Sequence, residues 1–168
     1  MRRITITLNR SVLLHHIGQI AYKEGAVINT GDDKARSDVQ DVASDDDTVA
    51  RLTYSLDTAW GELLAALSRM TERSTDVTSS DDSFTERQTY VFTLAKGDEF
   101  PDAIIEPLTR AMHDFMVFSA LAQWFAITKP EKVAYYDSMA ADRKDAARDY
   151  ANRDDGPLRI PPWPPLAY

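Results

Sequence analysis

Two short segments of the chain alternate apolar and polar residues, the pattern of a strand with one buried face. They span residues 4–8 and 84–94. The apolar residues that would share a face are Ile4, Ile6 and Leu8 in the first segment and Tyr90, Phe92 and Leu94 in the second. We expect the strands to pair, in a direction that the pattern leaves open. Because a two-stranded sheet alone is marginal in water, helices should cover it.

Apolar residues at helical spacing follow the first strand. Ser11 is a suitable N-cap for this helix, which we expect to run to about Glu24 and to stop at Gly25. Residues 29–47 are polar, acidic and rich in Asp, Ser and Gly. Such a composition predicts a mobile loop.

The end of this acidic stretch, Asp45 to Asp47, precedes the strongest helical pattern in the N-terminal half. One apolar stripe contains Val49, Leu52, Leu56, Trp60, Leu63, Leu67 and Met70. Carboxylates are favourable at a helix N-terminus, so the helix should begin there and end near Arg73. A second polar loop is expected over residues 74–83.

The C-terminal half predicts an antiparallel helical hairpin. Residues 102–128 form the most apolar helical pattern of the chain, with Pro107 either starting the helix or kinking it. Lys129 and Pro130 interrupt the pattern, and a second helix follows over residues 131–152. Its inward residues should be Val133, Tyr136, Met139, Ala140, Ala147 and Tyr150. The first helix is apolar on more than one face, so the hairpin partner, the sheet or another subunit must cover it.

Residues 154–168 form a proline-rich tail. Five prolines between Pro157 and Pro165 exclude a helix and a central strand, so the segment should be extended and stiff. It either lies across its own domain or docks on a neighbouring subunit, where a stiff strip with a tryptophan loses little entropy on binding. The interface candidates are Arg153, Leu158, Arg159, Ile160, Trp163, Leu166 and Tyr168, with Trp124 on the apolar helix.

The expected fold class is therefore mainly α. Residues 1–153 would form a single helical-bundle domain with a long C-terminal hairpin and a small two-stranded β element, followed by the extended tail. A chain of 168 residues with 43% hydrophobic residues is consistent with one domain and one core.

The net charge of −8 argues against a broad nucleic-acid-binding surface. An acidic wall can nevertheless surround DNA that has to slide without sticking. The absence of cysteine excludes disulfides and thiolate metal sites. The N-terminus lacks the continuous apolar run of a signal peptide, and no stretch has the length and apolarity of a transmembrane helix.

Catalytic and metal-binding motifs are not evident. His15 and His16 are neighbours and would point about 100° apart on a helix, and no HExxH motif accompanies them or His113. The aspartate pairs and runs do not follow the order of an EF-hand loop. Glycine-rich phosphate loops and a GxSxG elbow are missing. We therefore expect no enzyme activity, no cofactor and no metal.

The C-terminal half resembles a known class of virion proteins. The segments FMVFSALAQWFAIT and KPEKVAYYDSMAADRKDAARDYANR, followed by the Pro/Arg-rich end, resemble head-to-tail connector (adaptor, neck) proteins of tailed bacteriophages and prophages. The resemblance covers residues 100–168. It implies a homo-oligomeric ring at the neck of the virion, assembled in the bacterial cytoplasm without a membrane. The ring would contact portal and tail or neck proteins, and DNA would pass through its channel as non-sticking cargo.

Two other functions are compatible with the same features. The chain could be a bacterial adaptor or regulatory module that binds a protein through its tail, or a tail-tube or tail-completion component. An enzyme is the least favoured class, because no catalytic motif supports it.

Overall fold

A computed structural model describes residues 2–28, 33–42, 46–69, 87–98 and 100–153. The fold of these residues is mainly α, as predicted, with one two-stranded sheet. The elements are β1 (Arg2–Asn9), α1 (Arg10–Ala26), α2 (Asp33–Gln40), α3 (Asp46–Ala66), β2 (Thr89–Lys96), α4 (Asp102–Thr128), a 3-10 turn (Pro130–Lys132) and α5 (Val133–Asn152). The proline-rich tail, residues 154–168, lies outside the described residues.

The two strands pair in an antiparallel sheet whose register brings the predicted apolar residues together. Ile4 is opposite Leu94, Ile6 opposite Phe92, and Leu8 opposite Tyr90, and all six side chains are buried. This confirms the predicted buried faces, although β2 begins at Thr89 and residues 84–86 are not described. Trp60 of α3 packs against the rings of Tyr90 and Phe92, so a helix covers the sheet as expected.

The N-terminal helices correct two predictions. α1 begins at Arg10 after Asn9 as N-cap and includes Gly25, so neither Ser11 nor Gly25 bounds it. The prediction of a loop over residues 29–47 is wrong for Asp33–Gln40, which forms α2. Its sequence is mostly polar, and Val39 is its only buried residue. A helix of eight residues with so little apolar surface is marginal alone, so packing against its neighbours stabilises it.

α3 is shorter than the apolar stripe indicates. It begins at Asp46, with two aspartates in its first turn as predicted, but ends at Ala66 and not near Arg73. Leu67 remains buried in the turn that follows, so apolar burial continues beyond the last helical residue. The predicted loop at residues 74–83 lies outside the described residues.

α4 is the central helix of the molecule. It is continuous from Asp102 through Pro107, so the alternative that it begins at Pro107 is wrong. α5, α3, α1, α2 and β1 all contact it. These elements cover most of its apolar faces, while Ile127 near its end remains 57% exposed.

α4 and α5 form the predicted antiparallel hairpin. Tyr136, near the start of α5, packs on Phe125 near the end of α4 (ring centroids 5.1 Å apart). Further along α5, Lys144 lies over Phe115, which comes earlier in α4 (5.5 Å). Later residues of α5 therefore contact earlier residues of α4, as expected for antiparallel helices. None of the described helices combines the length and apolarity needed to cross a bilayer.

Candidate functional site

An open cleft with a volume of about 330 Å³ lies between α3 and α4, here called the α3–α4 groove. Tyr54 and Ile127 border it and are 68% and 57% exposed, while Leu52 and Trp124 are buried beneath. Arg51, Ser55 and Gln123 supply the polar lining. Large apolar side chains that remain exposed around a cleft are typical of a binding surface, because burying them against a partner is favourable.

Trp124, one of the predicted interface residues, forms the floor of this groove. Its side chain is buried, and its indole Nε1 donates a hydrogen bond to the Val39 carbonyl of α2 (3.4 Å). The ring therefore supports the groove and holds α2 against α4, and does not project as an anchor. This double role could not be predicted, because α2 was expected to be a loop.

The other predicted interface residues are at the C-terminal end. Arg153 is exposed directly after α5, with its guanidinium over the Tyr150 ring (5.5 Å). Leu158, Arg159, Ile160, Trp163, Leu166 and Tyr168 lie outside the described residues. The structure thus supplies a candidate acceptor surface, the α3–α4 groove, that sequence analysis missed. Exposed Tyr54 and Ile127 belong to different helices, and their proximity has no signature in the sequence.

A second depression, about 520 Å³ and shallow, follows the outer face of α1. Leu14, Gly18 and Tyr22 recur at a spacing of four residues along it, with Tyr22 63% exposed. A Cβ added at Gly18 would meet no atom within 4 Å, so this part of the helix surface is open. The face is apolar but less enclosed than the α3–α4 groove.

Glu24 links the end of α1 to the turn of the helical hairpin. Its carboxylate accepts hydrogen bonds from Lys129 Nζ (3.1 Å), Lys132 Nζ (3.3 Å) and the Tyr136 hydroxyl (3.0 Å). Lys129 Nζ also donates to the Glu24 carbonyl (3.1 Å). Burial alone would raise the pKa of Glu24, but these donors outweigh it and hold the pKa below 4.5. Burial raises the pKa of Tyr136, and the hydrogen bond to Glu24 raises it further.

His16 of α1 and His113 of α4 face each other across the helix interface. His16 Nδ1 and His113 Nε2 are 3.1 Å apart, and the two rings are stacked with centroids 5.3 Å apart. A carboxylate oxygen of Asp114 lies within 4.8 Å of these nitrogens. All three side chains are partly buried. This cluster could not be predicted from the sequence, because its two histidines are 97 residues apart.

The surroundings of His113 lower its pKa. Burial lowers the pKa of His113 and the neighbouring His16 lowers it further, while Asp114 raises it less. Asp114 in turn faces the guanidinium of Arg143 on α5 (3.6 Å). The cluster therefore combines two adjacent imidazole nitrogens with a carboxylate, a set of groups suited to a proton or a cation.

The negative charge of the protein is unevenly distributed along the chain. The whole chain has 27 acidic and 19 basic residues, which gives the net charge of −8. The segment 70–86 alone holds Glu72, Asp76, Asp81, Asp82 and Glu86 against a single Arg73.

Comparison with known proteins assigns no family to this chain. No protein-family model, curated protein or solved structure matches it. Function is therefore inferred from the groove, the tail and the distribution of charge.

Proposed function

We propose that this protein is an assembly subunit that binds further copies of itself, the tail of one copy docking into the α3–α4 groove of the next. We further propose that the resulting ring is a structural component of a tailed-phage virion, at the neck between portal and tail. The exposed apolar groove beside Tyr54 and Ile127 carries the first part of this proposal. The resemblance of residues 100–168 to connector proteins supports the second.

The groove and the tail are chemically complementary. The groove offers an apolar floor, two exposed apolar borders and a few polar groups. The tail offers Leu158, Ile160, Trp163 and Leu166 among prolines that restrict its conformations before binding. An extended segment of this kind gains affinity by inserting an aromatic anchor into a cleft, and Trp163 is the largest candidate.

The length of the tail favours a neighbouring copy over the parent domain. Lys144 of α5 lies over Phe115 of α4, and Arg153 and Trp124 are each nine residues further on, in opposite directions. At 1.5 Å per residue they are separated by about 27 Å along the helix axes. A polyproline-like run from Arg153 to Trp163 spans about 31 Å. The run is thus only slightly longer than the distance from Arg153 to its own groove. The groove of a neighbouring copy is not held at this fixed distance, so docking there imposes no such constraint.

Docking of a tail into a groove is a heterologous contact, since the two surfaces differ. Such contacts form rings when the rotation between subunits closes and open filaments when it does not. A ring is the form expected of a neck protein with a DNA channel. Acidic segments such as residues 70–86 would supply the like charge that keeps DNA from sticking to the channel wall.

The decisive experiment measures mass in solution for the full chain and for a chain that ends at Asp155. We expect the full chain to form a defined oligomer, alone or on addition of portal protein, and the shortened chain to remain monomeric. A full-length protein that stays monomeric at high concentration, alone and with portal present, would exclude the ring. An oligomer unaffected by removal of the tail would exclude the docking mode.

The two sides of the contact can be tested separately. Trp163→Ala should weaken assembly at least tenfold while lowering the melting temperature little, and Trp163→Phe should retain most of the assembly. On the acceptor side, Ile127→Ser should weaken assembly, whereas Val12→Ser, an equally exposed helical position on α1, should not. Equal losses of assembly and melting temperature with Trp163→Ala would mean that the tail covers its own domain.

The phage assignment has its own test. Genes for portal, terminase and capsid proteins beside this gene would support a neck protein. Their absence, with a monomer or dimer that binds a host protein through residues 154–168, would support the bacterial adaptor instead.

A further inference from the structure

We propose that His16, His113 and Asp114 form a binding site for a divalent transition-metal ion such as Zn²⁺, which would join α1 to α4. The site is independent of the assembly contact, since none of its residues lines the α3–α4 groove. It stands on the positions of three side chains from two helices.

The two histidine nitrogens are spaced as ligands of one ion. Zn–N bonds are 2.0–2.1 Å long, so two nitrogens on a tetrahedral ion are roughly 3.3 Å apart. His16 Nδ1 and His113 Nε2 are already 3.1 Å apart. An ion bound to both would lie about 1.3 Å off the line between them. Binding therefore requires rotation of the two rings and no movement of either helix.

Asp114 is the third ligand. Its oxygen, within 4.8 Å of the nitrogens, has to approach by one to two ångströms, roughly the effect of a small side-chain rotation. The carboxylate is largely buried, with 18% of the side chain exposed, and its contact to Arg143 is long at 3.6 Å. Because this contact is long, breaking it costs little interaction energy when the carboxylate turns towards a doubly charged ion. Water would complete a four-coordinate shell.

The donor set selects the class of metal. Imidazole suits Zn²⁺, Cu²⁺, Ni²⁺ and Fe²⁺, whereas Mg²⁺ and Ca²⁺ prefer an all-oxygen shell. The chain contains no cysteine, so no thiolate competes for the ion. In the metal-free pair one ring nitrogen donates its proton to the other. To bind the ion, the donating ring takes the tautomer that carries its proton on the other nitrogen, so both facing nitrogens become ligands and neutral imidazole needs to release no proton.

Metal binding would connect residues that are 97 positions apart in the chain. An ion that binds the folded chain and not the unfolded one raises the free energy of unfolding, more so as its concentration rises above Kd. The ion would thus act as a clamp between α1, which follows the sheet, and the central helix α4.

The test uses the full-length chain and titrates Zn²⁺ and Co²⁺ in separate experiments, with Mg²⁺ as the control ion. We expect one ion per chain, the visible d–d absorption of Co²⁺ in a low-symmetry nitrogen/oxygen site, and a rise in melting temperature with Zn²⁺ but not with Mg²⁺. His16→Gln and His113→Gln, on different helices, should each weaken binding about 100-fold, and Asp114→Asn about tenfold. Glutamine retains hydrogen-bonding capacity, and melting without metal shows whether each variant is folded.

His15→Gln is the matched control. His15 is adjacent to His16 but exposed, and its ring contacts Gln19 of the same helix (3.0 Å). It should bind Zn²⁺ like the original chain. Loss of binding in His15→Gln, unchanged binding in folded His16→Gln or His113→Gln, or unchanged affinity in Asp114→Asn would each overturn the proposed ligand set. Absence of binding to the original chain at millimolar Zn²⁺ would overturn the site itself.

Discussion

Glu24 is the acceptor for three side chains that follow it by more than 100 residues. Lys129 is the more enclosed of the two ammonium donors, with 10% of its side chain exposed against 36% for Lys132. A buried ammonium without an acceptor destabilises the folded state. Removing the Glu24 carboxylate is therefore costly chiefly because it leaves the Lys129 ammonium buried and unpaired. One residue at the end of α1 thus fixes the turn between α4 and α5.

Replacing Glu24 by Gln should lower the free energy of unfolding by about 2 kcal/mol, since Lys129 and Lys132 lose a charged acceptor. Urea unfolding at pH 7 measures this loss. Glu131→Gln, an exposed position in the same turn, is the control and should change stability by less than about 0.5 kcal/mol. Similar losses in both variants would contradict the role given to Glu24.

The Glu24 contribution should also depend on pH. Its folded-state pKa lies below 4.5, so its stabilisation is fully present above that value and is lost as the pH falls through the folded pKa. Glu24→Gln lacks this titration. The difference in unfolding free energy between the two proteins should therefore be constant from pH 7 to about pH 5 and shrink below about pH 4. A difference that stays constant into acid would show that the pKa is not lowered.

At the scale of elements, α2 shows how packing makes a helix from a polar segment. A side chain at Gly25 would run into Gln40 and come within 3.2 Å of the Arg36 carbonyl. Glycine therefore allows α2 to approach α1 closely, while Trp124 binds the Val39 carbonyl from α4. Packing against two neighbouring helices thus stabilises a short helix that has few apolar residues of its own.

Two glycine substitutions in α1 should have opposite effects on stability. Gly18→Ala should raise the free energy of unfolding by about 0.5–1 kcal/mol, because alanine favours a helix and the site is open. Gly25→Ala should lower it by about 1 kcal/mol, since the methyl group displaces Gln40 and crowds α2. Thermal or urea unfolding checks both. Stabilisation by both variants would mean that α2 does not pack tightly on α1.

At the scale of the whole molecule, the acidic excess is concentrated in short segments of the sequence. Residues 70–86 contain five acidic residues and one arginine. On α5, four exposed aspartates alternate with Arg143, Lys144 and Arg148, so their local field is largely balanced. Screening limits such fields to about 10 Å at 0.1 M salt, so local excess matters more than total charge.

Neutralising acidic residues in segment 70–86 should therefore strengthen DNA binding more than neutralising the aspartates of α5. The segment variant replaces Asp76, Asp81, Asp82 and Glu86 by amides, and the control replaces Asp137, Asp142, Asp145 and Asp149 by Asn. Both change the net charge from −8 to −4. At low salt the segment variant should bind double-stranded DNA more tightly than the control, and the difference should vanish as salt rises. Equal binding at low salt would mean that only net charge matters.

Features with a local period could be predicted from the sequence. The buried faces of both strands, the bounds of α4 and the interruption at Lys129 and Pro130 follow from alternation, helical spacing and a proline. Element ends were less predictable, because α3 stops at Ala66 although buried apolar residues continue to Leu67. The groove and the histidine cluster were not predicted, since each joins side chains from separate helices.

The sequence by itself thus determined the mainly helical fold, the pairing faces of the sheet and the hairpin, because each depends on neighbours within a few residues. Only the tertiary structure showed that α2 is a helix, that Trp124 is buried beneath the α3–α4 groove, and that His16 contacts His113. The physical reason is that such contacts depend on how helices pack across long sequence separations, and many packings are compatible with the same local periodicity.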